Sequence, residues 1–99
     1  MENVSLAEVR DYALQIGRTT FGGKRLNNVL VEEEFDSSGE LSLSVTFVFN
    51  PKPRPKLSGG KLGKISLDLV DFLHARKDER FPYTHYATTD ELKQLSVAE

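Results

Sequence analysis

The chain predicts an α+β fold: a two-layer sandwich in the order α-β-β-α-β-α, with a small, mainly antiparallel sheet (order 2-1-3) and helices on one face. Three observations predict it. Leu41, Leu43, Val45, Phe47 and Phe49 alternate with Ser42, Ser44 and Thr46, which is the period-two pattern of a strand with one buried face. Leu6, Val9, Ala13 and Ile16 recur at helical spacing behind an S-x-x-E sequence, Ser5 to Glu8. Leu62, Ile65, Leu69 and Phe72, with Leu73 beside them, repeat the helical spacing later in the chain.

Each element follows in order. Ser5 and Glu8 form a capping box, and Val4 and Val9 a hydrophobic staple, so the first helix opens at Leu6. Gly17 supplies a left-handed stop, which places its end at Ile16 and makes TTFGGKR, residues 19–25, a loop. NVLVEEEF alternates more loosely: Val29, Val31 and Phe35 share a face with Glu33 as an intruder. DSSG, residues 36–39, suits a type I turn followed by a left-handed glycine, so the two strands form a hairpin. Pro51, Pro53 and Pro55 exclude helix and central strand. The second long helix is expected over about residues 61–76, a short third strand over YTHYA, and a final helix from about Asp90 to Leu95 behind a second capping box, Thr88 and Glu91. Because the third strand returns through a helix, it should run parallel to the second. Placing it beside the first strand keeps the sheet antiparallel, hence the order 2-1-3.

Composition narrows the function classes. Ninety-nine residues, read as a single domain over 1–99, suffice for one core without staples. There is no Cys, which excludes a disulfide framework, a thiolate zinc site and a thiol nucleophile. The first residues lead into a charged, periodic segment and no apolar run approaches a membrane span, so a cytoplasmic protein without a membrane partner is expected.

Charge distribution says more than net charge. NPKPRPKLSGGKLGK, residues 50–64, carries Lys52, Arg54, Lys56, Lys61 and Lys64 and no acid, in a chain of net charge −2. Glu32, Glu33, Glu34, Asp36 and Glu40 gather at the hairpin turn. The hairpin places these two groups at opposite ends. The basic stretch reads as a contact for an acidic protein surface or, alternatively, for phosphates of a nucleic acid across residues 52–64. GKLG, residues 60–63, matches the G-x-x-G of KH-type RNA-binding modules, but a Pro-rich stretch stands where the first helix of such a module belongs.

Nothing points to catalysis, metal or cofactor. No G-x-S-x-G or phosphate-cradling P-loop occurs. Asp68, Asp71 and His74 share a helix, but Asp68 and His74 lie about 120° apart around it and do not converge on one ion. His85 between Tyr83 and Tyr86 reads as strand packing, with a base-stacking platform as the sharper alternative. Leu67 and Val70 fall outside the apolar stripe of the second long helix, with His74 between them, and make a second candidate partner surface unless another helix covers them. An unpaired sheet edge offers a third route to a partner, including a homodimer. The closing DERFPYTHYATTDEL resembles small bacterial proteins rather than a named family. Together these features predict a small, non-catalytic binding or accessory protein, antitoxin-like or regulatory, with a nucleic-acid-binding module as the alternative.

Overall fold

The computed structural model describes residues 3–52 and 57–97, and the side chains of 3–52 and 57–93. Helix α1 (Leu6–Phe21) is followed by strands β1 (Leu26–Phe35) and β2 (Leu41–Phe49), helix α2 (Gly59–Ala75), strand β3 (Pro82–Thr88) and helix α3 (Thr89–Val97). This is the α+β order expected, with α1 and α2 packed on the sheet and on each other.

The hairpin forms as its sequence dictates. β1 and β2 pair antiparallel from Leu26↔Phe49 to Phe35↔Leu41, with an irregularity near Leu26 and Asn28. Asp36 builds the turn: its Oδ1 accepts from the N–H groups of Ser38 and Glu40 at 2.9 and 3.0 Å, and Gly39 takes φ 81°.

The sheet order is β1-β2-β3, so β2 is central, not β1 as the sequence suggested. β3 does run parallel to β2, from Leu43↔Pro82 to Phe49↔Thr88, and the sheet is therefore mixed. The reason lies in the two strands. β1 carries three consecutive glutamates, which an edge strand keeps in water. β2 is apolar at Val48 as well as along its inward face, and Val48 is buried on the side away from the main core, as suits a central strand. The β2-α2-β3 crossover then joins adjacent parallel strands.

Two helix limits also move. α1 does not stop at Gly17 but continues through Phe21, and the positive-φ terminator is Gly22, whose N–H reaches the Arg18 carbonyl at 2.9 Å. Gly17 serves close approach: a Cβ there would stand 2.7 Å from Leu26 Cδ2 and 3.2 Å from Phe47 Cε2. Thus Thr19, Thr20 and Phe21 are helical, and Phe21 enters the core. α2 begins two residues earlier than expected because Ser58 caps it, accepting from the Lys61 N–H at 3.3 Å. The capping box at Thr88/Glu91 forms in full; at Ser5 the hydroxyl caps the Glu8 N–H as expected, but the Glu8 carboxylate accepts from that hydroxyl and not from the Ser5 N–H.

The core lies between the helices and the odd-numbered face of β2. Val9, Val29, Leu43, Val45, Phe47, Ile65, Leu69 and Leu73 are fully buried there. Tyr86 of β3 lies 5.4 Å from Phe47 in a stacked pair, and Phe21 meets both Phe49 and Tyr86 edge-on. Each such side chain contributes about 1.5–3 kcal/mol of hydrophobic stabilisation. The Tyr86 hydroxyl is buried without a hydrogen-bond partner among the described residues, and burial raises its pKa while nearby Thr84 partly opposes the rise. Across the helix pair, Tyr12 stacks on Phe72 at 4.2 Å and the Arg76 guanidinium lies 3.8 Å from the same ring.

A buried ion pair closes the fold at the hairpin end. Asp78 is fully buried and Arg80 nearly so. Arg80 Nη2 and Nε donate to the Asp78 carboxylate at 2.7 and 3.0 Å, the Arg80 N–H adds a bond at 3.0 Å, and the Val4 N–H donates to Asp78 Oδ2 at 3.0 Å. Arg80 Nη2 also donates to the Val4 carbonyl at 2.7 Å, and Nη1 stands 3.5 Å from Glu33 Oε2. Glu33, the intruder on the apolar side of β1, is there because Arg80 receives it. Burial pushes the Asp78 carboxyl up, but the bonds from Arg80 and Val4 outweigh it and hold the group below the ordinary carboxylate value.

Candidate functional site

The strand register sorts the surface into two ends. From Leu26 to Phe35, nine steps of about 3.3 Å separate them by about 30 Å. At one end lie the hairpin turn and the start of β3. At the other lie the C-terminus of α1, the α1–β1 connection, the end of β2 and the start of α2.

The basic end is built partly by Asn50. Its N–H donates to the Arg25 carbonyl at 2.9 Å, its Nδ2 donates to the Lys24 carbonyl at 2.8 Å, and its Oδ1 accepts from Asn27 Nδ2 at 2.9 Å. These bonds place Lys24 and Arg25 beside the start of the segment that carries Lys52. The sequence pattern marked residues 19–25 as a connection only, because the proximity of Lys24 to Asn50 is a product of the register. Of the expected loop cations, Lys52, Lys61 and Lys64 are exposed at this end. Lys64 is already engaged with Asp68 at 2.9 Å, a bond that raises its pKa. Asp90 and Glu91 open α3 at the same end and offset part of the charge. Arg54 and Lys56 lie outside the described residues. Gly60 and Gly63 are inside α2, so GKLG is a helical turn and not a loop between helices.

The other end combines carboxylates with exposed apolar side chains. Phe35 is 74% exposed and Leu41, its direct cross-strand partner, 38%. Phe81, 50% exposed, packs against Tyr83 with ring centroids 4.7 Å apart. The Leu43 N–H donates to the Phe81 carbonyl at 2.9 Å, which fixes this aromatic pair close to the hairpin turn. Glu32, Glu34 and Glu40 are exposed around these groups. Glu34, Asp36, Ser37, Tyr83 and His85 line a shallow depression here. Arg76 and Lys77, at the end of α2, bring positive charge towards this end, while Arg80 is taken up by Asp78 and Glu33. The sequence pattern assigned Phe35 to the buried face, and by parity it is on that face. It is exposed at the strand's end, beyond the buried stretch that Val29 begins.

The remaining candidates separate. Leu67 is 65% exposed on α2, Val70 is half-buried and His74 is exposed; Leu67 is the one large, exposed apolar side chain among the three. Tyr83 and His85 point away from the core while Tyr86 points into it, so the three do not make one stacking platform. No group of three His, Cys, Asp or Glu residues among the described ones is arranged to hold a metal ion. No described helix is long and apolar enough to cross a membrane.

Comparison with protein-family models, with curated proteins and with solved structures produced no match. The functional reading therefore rests on the surface itself.

Proposed function

We propose that the chain is a binding or accessory protein without catalysis of its own, and that it contacts a protein partner through the ends of its sheet. One observation carries this reading: exposed apolar side chains gather at the hairpin end on both faces of the sheet, Phe35 and Leu41 on the core-facing side and Tyr83, with Phe81 packed on it, on the other, among exposed glutamates. Exposed aromatic side chains in a polar rim are the composition of a protein-contact surface. The same carboxylates repel phosphate, which argues against nucleic acid at this end.

The alternative, phosphate contact by the basic end, draws support from the placement of Lys24 and Arg25 beside Lys52. One experiment separates the two. Tagged protein is recovered from native lysate with and without nuclease, as the wild type and as the variants Phe35→Ser with Phe81→Ser and Lys24→Gln with Lys52→Gln. The proposal expects a stoichiometric protein band that resists nuclease and is lost in the Phe35→Ser, Phe81→Ser variant. Recovery of nuclease-sensitive material absorbing at 260 nm, lost in the lysine variant and kept in the phenylalanine variant, would establish the alternative instead.

A further inference from the structure

The two ends are complementary to each other. One presents apolar side chains, Phe35 and Leu41, with Glu40 beside them at the turn and Glu32 and Glu34 on the opposite face of β1. The other presents Lys24, Lys52 and Lys61, with Leu57 44% exposed between Lys52 and Lys61 in the chain. They face opposite directions along the hairpin, about 30 Å apart, too far to satisfy each other within one molecule. The exposed surface thus contains both an acidic apolar projection and a basic receiving end with an apolar residue of its own.

We propose that the hairpin tip of one copy docks against the basic end of a second copy. The proposal deepens the reading of the hairpin end as a protein-contact surface, by naming the partner as the chain itself. Apolar contact comes from Phe35 and Leu41 against Leu57, and orientation comes from the glutamates against the lysines. A tip-on-base contact is heterologous. It generates rings or open chains, unless two copies lie antiparallel and make the contact twice. A tip this narrow makes a contact below the standard interface size, so association is weak and concentration-dependent. It is also salt-dependent, because raising ionic strength from about 0.01 M to about 1 M shortens the screening length from about 30 Å to about 3 Å.

The test is sedimentation velocity on three purified proteins over a range of concentrations, at low and high sodium chloride. The first is the wild type. The second removes the tip, with Glu34→Gln, Phe35→Ser and Glu40→Gln. The third removes the base, with Lys24→Gln, Lys52→Gln and Lys61→Gln. All substituted side chains are exposed, and circular dichroism confirms that each variant keeps the fold. The proposal expects a wild-type mass that rises with concentration and falls back in high salt. It expects each variant alone to remain monomeric, and an equimolar mixture of the two to form a 1:1 complex, since each retains the surface the other lacks. A wild type that stays monomeric throughout, a base variant that still self-associates, or a mixture that stays monomeric would each overturn it. A monomeric wild type that still captures a foreign protein through Phe35 and Phe81 would overturn self-docking alone and leave the broader reading standing.

Discussion

Replacing Asp78 with alanine removes the centre of the network that ties Val4 to the entry of β3. The carboxylate accepts from the Val4 N–H and from the main chain and guanidinium of Arg80, at 2.7 to 3.2 Å. Its loss leaves a guanidinium that is only 6% exposed without its principal counter-charge. Removing one partner of a buried ion pair costs about 3–5 kcal/mol. One feature places this case near the lower bound: Glu33 stands 3.5 Å from Arg80 Nη1 and keeps part of the charge compensated. A loss of about 3 kcal/mol is a large part of the about 5–15 kcal/mol that stabilises a domain. It corresponds to a fall in Tm of about 12–24 °C for a chain this size.

The assay is thermal and urea unfolding followed by circular dichroism, for Asp78→Ala, Asp78→Asn and the double variant Asp78→Leu, Arg80→Met. The double variant removes both charges, so it should recover at least half of the loss, short of the Val4 groups left unpaired. Acidity gives an independent check. Asp78 is held below its ordinary value in the folded state, so its contribution is fully present above the unfolded pKa of about 3.9 and is lost as pH falls through the folded value. The stability gap between wild type and Asp78→Asn should therefore stay constant from pH 7 to about pH 4 and narrow below that. A loss under about 1 kcal/mol for Asp78→Ala at pH 7, or a gap that widens on acidification, would contradict this role for Asp78.

Gly17→Ala should destabilise by about 1 kcal/mol in urea unfolding: overpacking of about 1–3 kcal/mol against Leu26 and Phe47 exceeds the helix-propensity gain of about 1 kcal/mol. Phe47→Ala should cost about 3–5 kcal/mol, since it opens a cavity beneath Phe21 and Tyr86, whereas Phe35→Ser at the exposed tip should change stability by no more than about 0.5 kcal/mol. Asn50→Ala removes two side-chain hydrogen bonds and should cost about 1–3 kcal/mol, with hydrogen exchange of the 22–27 segment accelerated more than that of β2.

Local rules made the elements legible. The alternation of Leu41 to Phe49, the helix caps at Ser5 and Thr88 and the DSSG turn each depend on residues a few positions apart, and each formed as the sequence implied. What failed was what depends on distant neighbours. Gly17 reads as a helix stop, since a glycine after an apolar stripe commonly is one, yet the chain continues because Leu26 and Phe47 need the space a side chain would fill. The strand order hinged on whether the crossover would favour an antiparallel or a parallel neighbour. The glutamates of β1 and the burial of Val48 on the second face of β2 decided it. The ends of the sheet were half legible: opposed charge follows from the hairpin, but the joining of Lys24 to Asn50, and of Phe81 to Leu43, does not. Asp78 and Arg80 sit in KDERFP, which looks like a solvated turn, and nothing local to that stretch announces that Val4 lies against it.

The proposed self-association runs through the two ends of the sheet and not through the outer face of α2. Amide chemical shifts, followed by nuclear magnetic resonance as the uniformly labelled protein is concentrated in low salt, test it most directly. The account predicts shifts confined to Phe35, Leu41 and their neighbours at the tip, and to Lys24, Lys52 and Lys61 at the base, all reversed by salt. Shifts centred on Leu67, Val70 and His74, or a spectrum indifferent to concentration and salt, would contradict it.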